Sequence, residues 1–409
     1  MPSWLGRRAT HAMFSSRTPR TLVPNALSEL LHARRGSGAA VLDLTESNPP
    51  RAGLVLPADR LRSTFDEQRL AQYEPLPRGD EEARFAVARY YSETFGRPVD
   101  PARIWLTAST SDAYAYLFKL LANPGDRVLV PRPSYPLLDH LAALESVYLD
   151  RYELAYDGGW YIDFESIEST VTPRTRALVV VHPNNPTGSF LKQDELSALL
   201  DLCARHEIAL VCDEVFADYP FKLDDTRVAT VAGVDDALVF ALSGLSKVCA
   251  APQTKLAWIA ASGPATLLSE AEARLDMIAD SYLSVSAAAQ LATPGLLAAR
   301  GEMQDAVRAR TKHNYEAAQA TLGTDPESPT SMLHVEGGWY LTLRVPDTQS
   351  DEAWALELLA EDDVLVQPGY FYEFQGGAYL VVSLLTPPET FRAGIERLAR
   401  RVVVASSRA

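Results

Sequence analysis

The chain has 409 residues but only three cysteines, Cys203, Cys212 and Cys249. The odd count and the lack of C-x-x-C spacing argue against a disulfide framework or a zinc site. All three fall in or beside apolar segments, which fits buried thiols in a reducing compartment. No apolar run approaches the roughly 18–20 residues needed to span a bilayer, so no membrane contact is expected. There is no G-x-G-x-x-G after a strand pattern, no Walker A loop and no H-E-x-x-H. Their absence counts against dinucleotide, nucleotide and zincin chemistry, and no metal is expected. Positive charge is also scarce: 38 Lys and Arg face 53 Asp and Glu, for a net charge of −15. A nucleic-acid or anionic-membrane surface is therefore not expected.

One segment reverses that balance. Residues 1–20 hold Arg7, Arg8, Arg17 and Arg20 and no acid. No apolar stretch follows to make a secretory signal, so 1–20 reads as a disordered basic arm on a cytoplasmic protein.

What the chain does have is an ordinary globular composition, 47% apolar and 22% charged, and enough length for one large and one small domain. Between about 100 and 260, short apolar runs alternate with helical patterns. Strands are expected at Arg103 to Thr107, Arg127 to Val130, Ala177 to His182, Ala209 to Cys212, Leu238 to Leu242 and Leu256 to Ala260. Helices fit at Ser111 to Leu121, Pro136 to Leu144 and Lys192 to His206. The last of these carries Leu196, Leu199, Leu200 and Cys203 at i, i+3, i+4, i+7 spacing. Continuous apolar strands separated by helices predict an α/β three-layer sandwich with a mostly parallel central sheet. After about 295 the pattern changes. A long helix, Glu302 to Leu322, leads to a strand at Gly337 to Leu343, a helix at Asp351 to Glu361, strands at Val364 to Gln367 and Ala378 to Leu384, and a helix at Pro388 to Val402. This reads as a smaller α+β domain of 21–64 and 296–409, beside a large domain of 65–295.

Ligands of such sheets bind outside the carboxyl ends of the strands. Three polar residues fall there: Asn185, Asp213 and Lys247. Lys247 follows an apolar strand in the small-residue run Ser243-Gly244-Leu245-Ser246, where a lysine can lose water and its proton and become a nucleophile. Alone it reads more simply as a solvated surface residue. Asp213 ends a buried strand, where a carboxylate is costly unless it meets a cation. A ring nitrogen carrying a proton would be one, and so would a structural ion-pair partner. Asn185 opens the turn Asn185-Pro186-Thr187-Gly188, which is either plain turn chemistry or an amide placed for a ligand. Thr110 and Ser111 open a helix, as a cap or as a phosphate site. Ser246 and Lys255 could add phosphate contacts. Tyr135, after a strand, could stack on a ring or simply pack.

Together these pieces resemble the class I/II aminotransferases, fold-type I enzymes dependent on pyridoxal phosphate, over about Leu44 to Leu398. The carriers are Asn185-Pro186-Thr187-Gly188, Ser246-Lys247, the stretch from Pro124-Gly125-Asp126 to Tyr135, and Tyr73 with Gly79. The resemblance implies that Lys247 forms the Schiff base and moves the Cα proton. Asp213 would keep the pyridine nitrogen protonated, so that the ring acts as an electron sink. Asn185 would bind the phenolic oxygen, and Tyr135 would stack on the ring. Thr110, Ser111, Ser246 and Lys255 would hold the phosphate, joined by Tyr73 from a partner chain. It further implies a homodimer with the site at the interface, amino acid and 2-oxo acid substrates, and ping-pong kinetics.

Four positions depart from the family pattern: Phe216 where a Tyr donates to the phenolic oxygen, Lys255 where an Arg holds the phosphate, Ser109 where a Gly opens the helix, and Val381 where an Arg pairs with the substrate carboxylate. Lys255 offers a point charge rather than a bidentate fork. For the carboxylate, either another cation serves, or Asn185 and the backbone near Ser47 suffice, or the substrate differs. These departures leave a second reading open, a lyase, decarboxylase or oxidase on the same cofactor. A third, a cofactor-binding regulator, would need a DNA-binding domain ahead of the recognisable region, where about 40 residues stand.

Overall fold

The computed structural model describes residues 15–19, 23–57, 67–283, 285–323 and 328–406. In chain order the principal helices are α1 (Ala26–Gly36), α2 (Glu81–Phe95), α3 (Thr110–Leu121), α4 (Leu137–Leu144), α5 (Gln193–His206), α6 (Arg300–Leu322), α7 (Asp351–Asp362) and α8 (Pro388–Ser406). Eight strands build the main sheet: β1 (Ile104–Thr107), β2 (Arg127–Arg132), β3 (Tyr148–Tyr156), β4 (Trp160–Ile162), β5 (Thr175–Val181), β6 (Ala209–Asp213), β7 (Val239–Gly244) and β8 (Ala257–Ser262). Their spatial order is β1-β8-β7-β6-β5-β2-β3-β4.

The five strands from β7 to β3 run parallel. β8 lies antiparallel between β1 and β7, and β4 lies antiparallel at the other edge. Both faces are covered, as continuous apolar strands require. Along β6, Leu210 and Cys212 enter one apolar core while Ala209 and Val211 enter the other. Helix α5 buries Leu196, Leu199, Leu200 and Cys203, the stripe its spacing predicts. At its start the Lys192 N–H donates to Glu195 Oε2 at 2.9 Å, half of a capping box.

A second sheet holds β9 (Ser331–Met332), β10 (Tyr340–Val345), β11 (Gln367–Pro368) and β12 (Ala378–Ser383) in the order β9-β10-β12-β11. Its core gathers Leu341, Leu380, Trp354 of α7 and Phe391 of α8, together with Leu27 and Leu44 from the start of the chain. The strand expected at Val364 to Gln367 is divided. Val364–Leu365 pairs with Leu42–Asp43, and Gln367–Pro368 pairs with β12. Pro368 has no N–H for a second neighbour, so its strand ends the sheet. The chain passes from the small core to the large one between Leu44 and Ala52, ahead of the boundary at 64 expected from the sequence, because Ala52, Leu54 and Leu56 are drawn into the large core. Helix α6 crosses back, with Met303 and Val307 in the large core and Ala318 and Leu322 in the small one.

The three cysteines are free and buried. Among the described residues no helix is long and apolar enough to cross a membrane. Of the basic arm, only 15–19 falls within the described residues. There the Arg17 guanidinium donates to the Leu144 carbonyl at 3.2 Å.

Candidate active site

Val181 of β5, Asp213 of β6 and Leu242 of β7 lie side by side in register. The segments leaving this rim carry Asn185 and Lys247. Because β8 is antiparallel, its beginning falls at the same rim, with Ala257 opposite Gly244. A parallel β8 would have carried Lys255 to the far end of the sheet. Asn185, Asp213, Lys247 and Lys255 therefore line one cavity of about 290 Å³, together with Ser47, Thr110, Ser111, Tyr135 and Ser246. Tyr73 does not join them. It stands 81% exposed on the surface.

Lys247 sits in the short helix Leu245–Val248 that follows β7. Its ammonium lies 4.9 Å from the centroid of the Trp339 ring and 5.6 Å from that of Phe216. Burial against these rings pulls its pKa down to about 8, although the Asp213 charge pulls the other way. Its main chain is held by Tyr219, whose hydroxyl donates to the Lys247 carbonyl at 2.5 Å.

Asp213 accepts from the Tyr114 hydroxyl at 3.2 Å and from the Val215 N–H at 3.2 Å. Burial nonetheless pushes its carboxyl up to about 6. A carboxylate in this position gains from a cationic partner within the cavity.

The Asn185 turn is fixed from below. Buried His182 accepts at Nδ1 from the Leu191 N–H at 2.9 Å, so Nε2 carries the proton and donates to the Val228 carbonyl at 2.9 Å. Burial lowers its pKa to about 4, which keeps the ring neutral. Gly188 closes the turn at φ +70°, and a Cβ there would stand 2.5 Å from the Gly337 carbonyl oxygen, so both the conformation and the space call for glycine. Asn185 Oδ1 is buried without a hydrogen-bond partner.

At the start of α3, Ser109 does the capping, accepting from the Asp112 N–H at 3.2 Å. Thr110 and Ser111 are thereby spared that task and face the cavity. Lys255 holds φ +55°, a left-handed conformation unusual for a residue with a side chain, and Ala250 in the same loop holds φ +50°. Such backbone is retained where the surroundings over-determine it, often at functional sites.

The donor set fits pyridoxal phosphate. A helix N-terminus with two hydroxyls, Ser246 and a lysine suit a phosphate. A buried carboxylate suits a ring cation, the Asn185 side chain suits a polar ring substituent, and Tyr135 and Val215 offer apolar walls. Spacing alone had not revealed Tyr114, Val215 or Tyr340, which also line the cavity. Tyr340 is 8% exposed, its phenol pushed up to about 12 by burial, with the Ser47 and Asn185 side chains as hydrogen-bonding neighbours. Val381 is fully buried. Its side chain faces the large core, whereas Leu380 and Val382 face the small one.

A larger cavity, about 440 Å³, opens elsewhere, between Phe221, α6 and His334. Its charged groups are largely engaged, Arg227 with Glu336 and Arg308 with the Asp218 carbonyl. It holds neither Lys247 nor Asp213.

A lysine and a carboxylate at the strand ends of an open α/β sheet share one cavity with a helix N-terminus, an arrangement that suits a phosphate-bearing cofactor. Residues 39–398 match aminotransferase class I and II, and the chain belongs to that family. It is a pyridoxal phosphate-dependent aminotransferase. It is similar to the alanine aminotransferase of Mycobacterium tuberculosis, 28% identical over 382 residues, covering 91% of this chain and 88% of the relative. It is also similar to the glutamate-pyruvate aminotransferase AlaA of Escherichia coli, 23% identical over 368 residues, covering 89% and 90%. Among solved structures, the alanine aminotransferase from Pyrococcus furiosus superposes with a TM-score of 0.84 at 23% identity, covering 96% of this chain and all of that one. A lyase, decarboxylase or oxidase is not favoured.

Proposed function

We propose that the enzyme moves an amino group from an amino acid to a 2-oxo acid in two half-reactions at the Lys247 cavity. The observation that carries this reading is the placement of Lys247, with its lowered pKa, beside Asp213 in one cavity at the strand ends. When bound, pyridoxal phosphate supplies the electron sink for the Cα carbanion. Lys247 Nζ would hold the cofactor and, when free of it, would carry the proton to and from the substrate Cα. Asp213 keeps the ring nitrogen protonated and Asn185 donates to the ring oxygen. Tyr135 would stack on the ring, and Thr110, Ser111, Ser246 and Lys255 would bind the phosphate.

Part of this reading is a homodimer in which Tyr73, exposed on its own chain, reaches the partner's phosphate site. A cytoplasmic location is also part of it, in keeping with the three free, buried thiols. The relatives' names make L-alanine with 2-oxoglutarate the first pair to assay. Lys247→Ala should lose amine transfer by a factor of about 10³ or more, the scale on which loss of a catalytic acid–base group registers. A Lys247→Ala protein with wild-type turnover would sink the reading.

A further inference from the structure

On the small sheet Tyr340, Thr342, Val381 and Ser383 share one face, and Tyr340 lines the cavity. Tyr340 is the cross-strand partner of Ser383, and Thr342 that of Val381. Two tethers bring other elements to this face. The Ser383 N–H donates to the Leu44 carbonyl at 2.7 Å, three residues before Ser47. Thr342 Oγ1 donates to the Pro186 carbonyl at 3.4 Å, one residue after Asn185. Ser47 and Asn185 therefore converge on Tyr340 from separate parts of the chain, and all three line the cavity that holds Lys247.

The Tyr340 ring is locked. It is nearly buried, and it meets the Phe216 ring edge-on at 6.2 Å between centroids. Ser47 and Asn185 both favour the ionised form of its phenol, as donors to the phenolic oxygen do. Where its oxygen accepts from them, the phenol keeps its own proton to donate. Among the described residues no arginine lines this cavity.

We infer that Tyr340 is a specificity-determining residue whose hydroxyl, oriented by Ser47 and Asn185, is the donor of a neutral cradle for the substrate's α-carboxylate. This rests on the aminotransferase reading above. The cradle does by hydrogen bonding what a guanidinium at position 381 would do by charge. Removing one neutral donor from a bound carboxylate weakens binding about tenfold or more.

The test uses the holoenzyme and Tyr340→Phe, which keeps the buried ring and removes only the hydroxyl. L-Alanine, L-leucine, L-phenylalanine and L-glutamate are compared with their α-carboxamides, in kcat/KM with 2-oxoglutarate and in binding followed by the cofactor's absorbance. The wild type should prefer each acid it uses over its amide by about tenfold or more. Tyr340→Phe should lose about tenfold on the acid and less than twofold on the amide, with cofactor affinity unchanged. An unchanged acid preference in Tyr340→Phe overturns the inference, and so does an equal loss on acid and amide. A wild type with no acid preference, including one that binds neither compound, overturns it as well. A wild type that binds the acids but transfers no amine refutes the aminotransferase reading instead. The binding arm then still decides the cradle, which stands if Tyr340→Phe weakens acid binding selectively and falls if it does not.

Discussion

Tyr114 of α3 donates its hydroxyl to Asp213 Oδ2 at 3.2 Å, joining the helix whose start lines the cavity to the carboxylate at the end of β6. Even so, the Asp213 carboxyl is pushed up to about 6 from an ordinary value of 3.8, chiefly by burial. The folded chain thus holds a proton that the unfolded chain releases between those values. The resulting stability is fully present below about pH 3.8 and is lost as pH rises through about 6. In cofactor-free protein at pH 7, Asp213→Asn should therefore melt later than wild type, by on the order of 1 kcal/mol. The gap should close below about pH 4. Thermal melts across that range check it, and a destabilised Asp213→Asn apoprotein at pH 7 would contradict the burial argument.

Lys255 stands two residues before β8 in a left-handed conformation and lines the cavity. If it meets the phosphate, Lys255→Ala should raise the Kd for pyridoxal phosphate about tenfold or more, the scale of one lost charge-assisted hydrogen bond. The Kd for pyridoxal, which lacks the phosphate, should stay within twofold. Equilibrium titration with both compounds separates a phosphate contact from a loop defect, which would weaken both.

Much of this site was legible in the sequence, because strand ends can be read from where apolar runs stop. The rim rule alone brought Asn185, Asp213 and Lys247 together. What spacing could not supply was strand direction. Lys255 reaches the rim because β8 is antiparallel, which apolar periodicity does not record. Strand β3 escaped for a different reason. It carries Asp150, Arg151 and Glu153, which break the apolar run, and their charges are met by Arg127, Glu373 and Arg132. Cross-strand pairing of this kind lets a charged segment form a strand near a sheet edge. Tyr340 lay within an expected strand, but its role depends on Ser47, 293 residues away in the sequence, and no local pattern encodes that contact.

The exposure of Tyr73 gives a test of the dimer. Tyr73→Ala and Lys247→Ala should each be impaired alone. Mixed chains should regain activity, since one hybrid site combines an intact Lys247 with the partner's intact Tyr73. Full complementation restores one native site per heterodimer, up to about a quarter of wild-type activity after random exchange of equal amounts, by the symmetry of a two-site dimer. Activity of the mixture equal to the mean of the separate variants would refute a shared site.

The central claim is that amine is stored on the enzyme between two half-reactions. The most direct measurement mixes holoenzyme with an excess of an amino acid substrate, with no acceptor present, and counts products per Lys247 site. The account predicts one equivalent of 2-oxo acid and no free ammonia or CO₂, followed, once the excess amino acid has been removed, by one equivalent of new amino acid when a different 2-oxo acid is added. Continuous release of ammonia or CO₂ without an acceptor would contradict it.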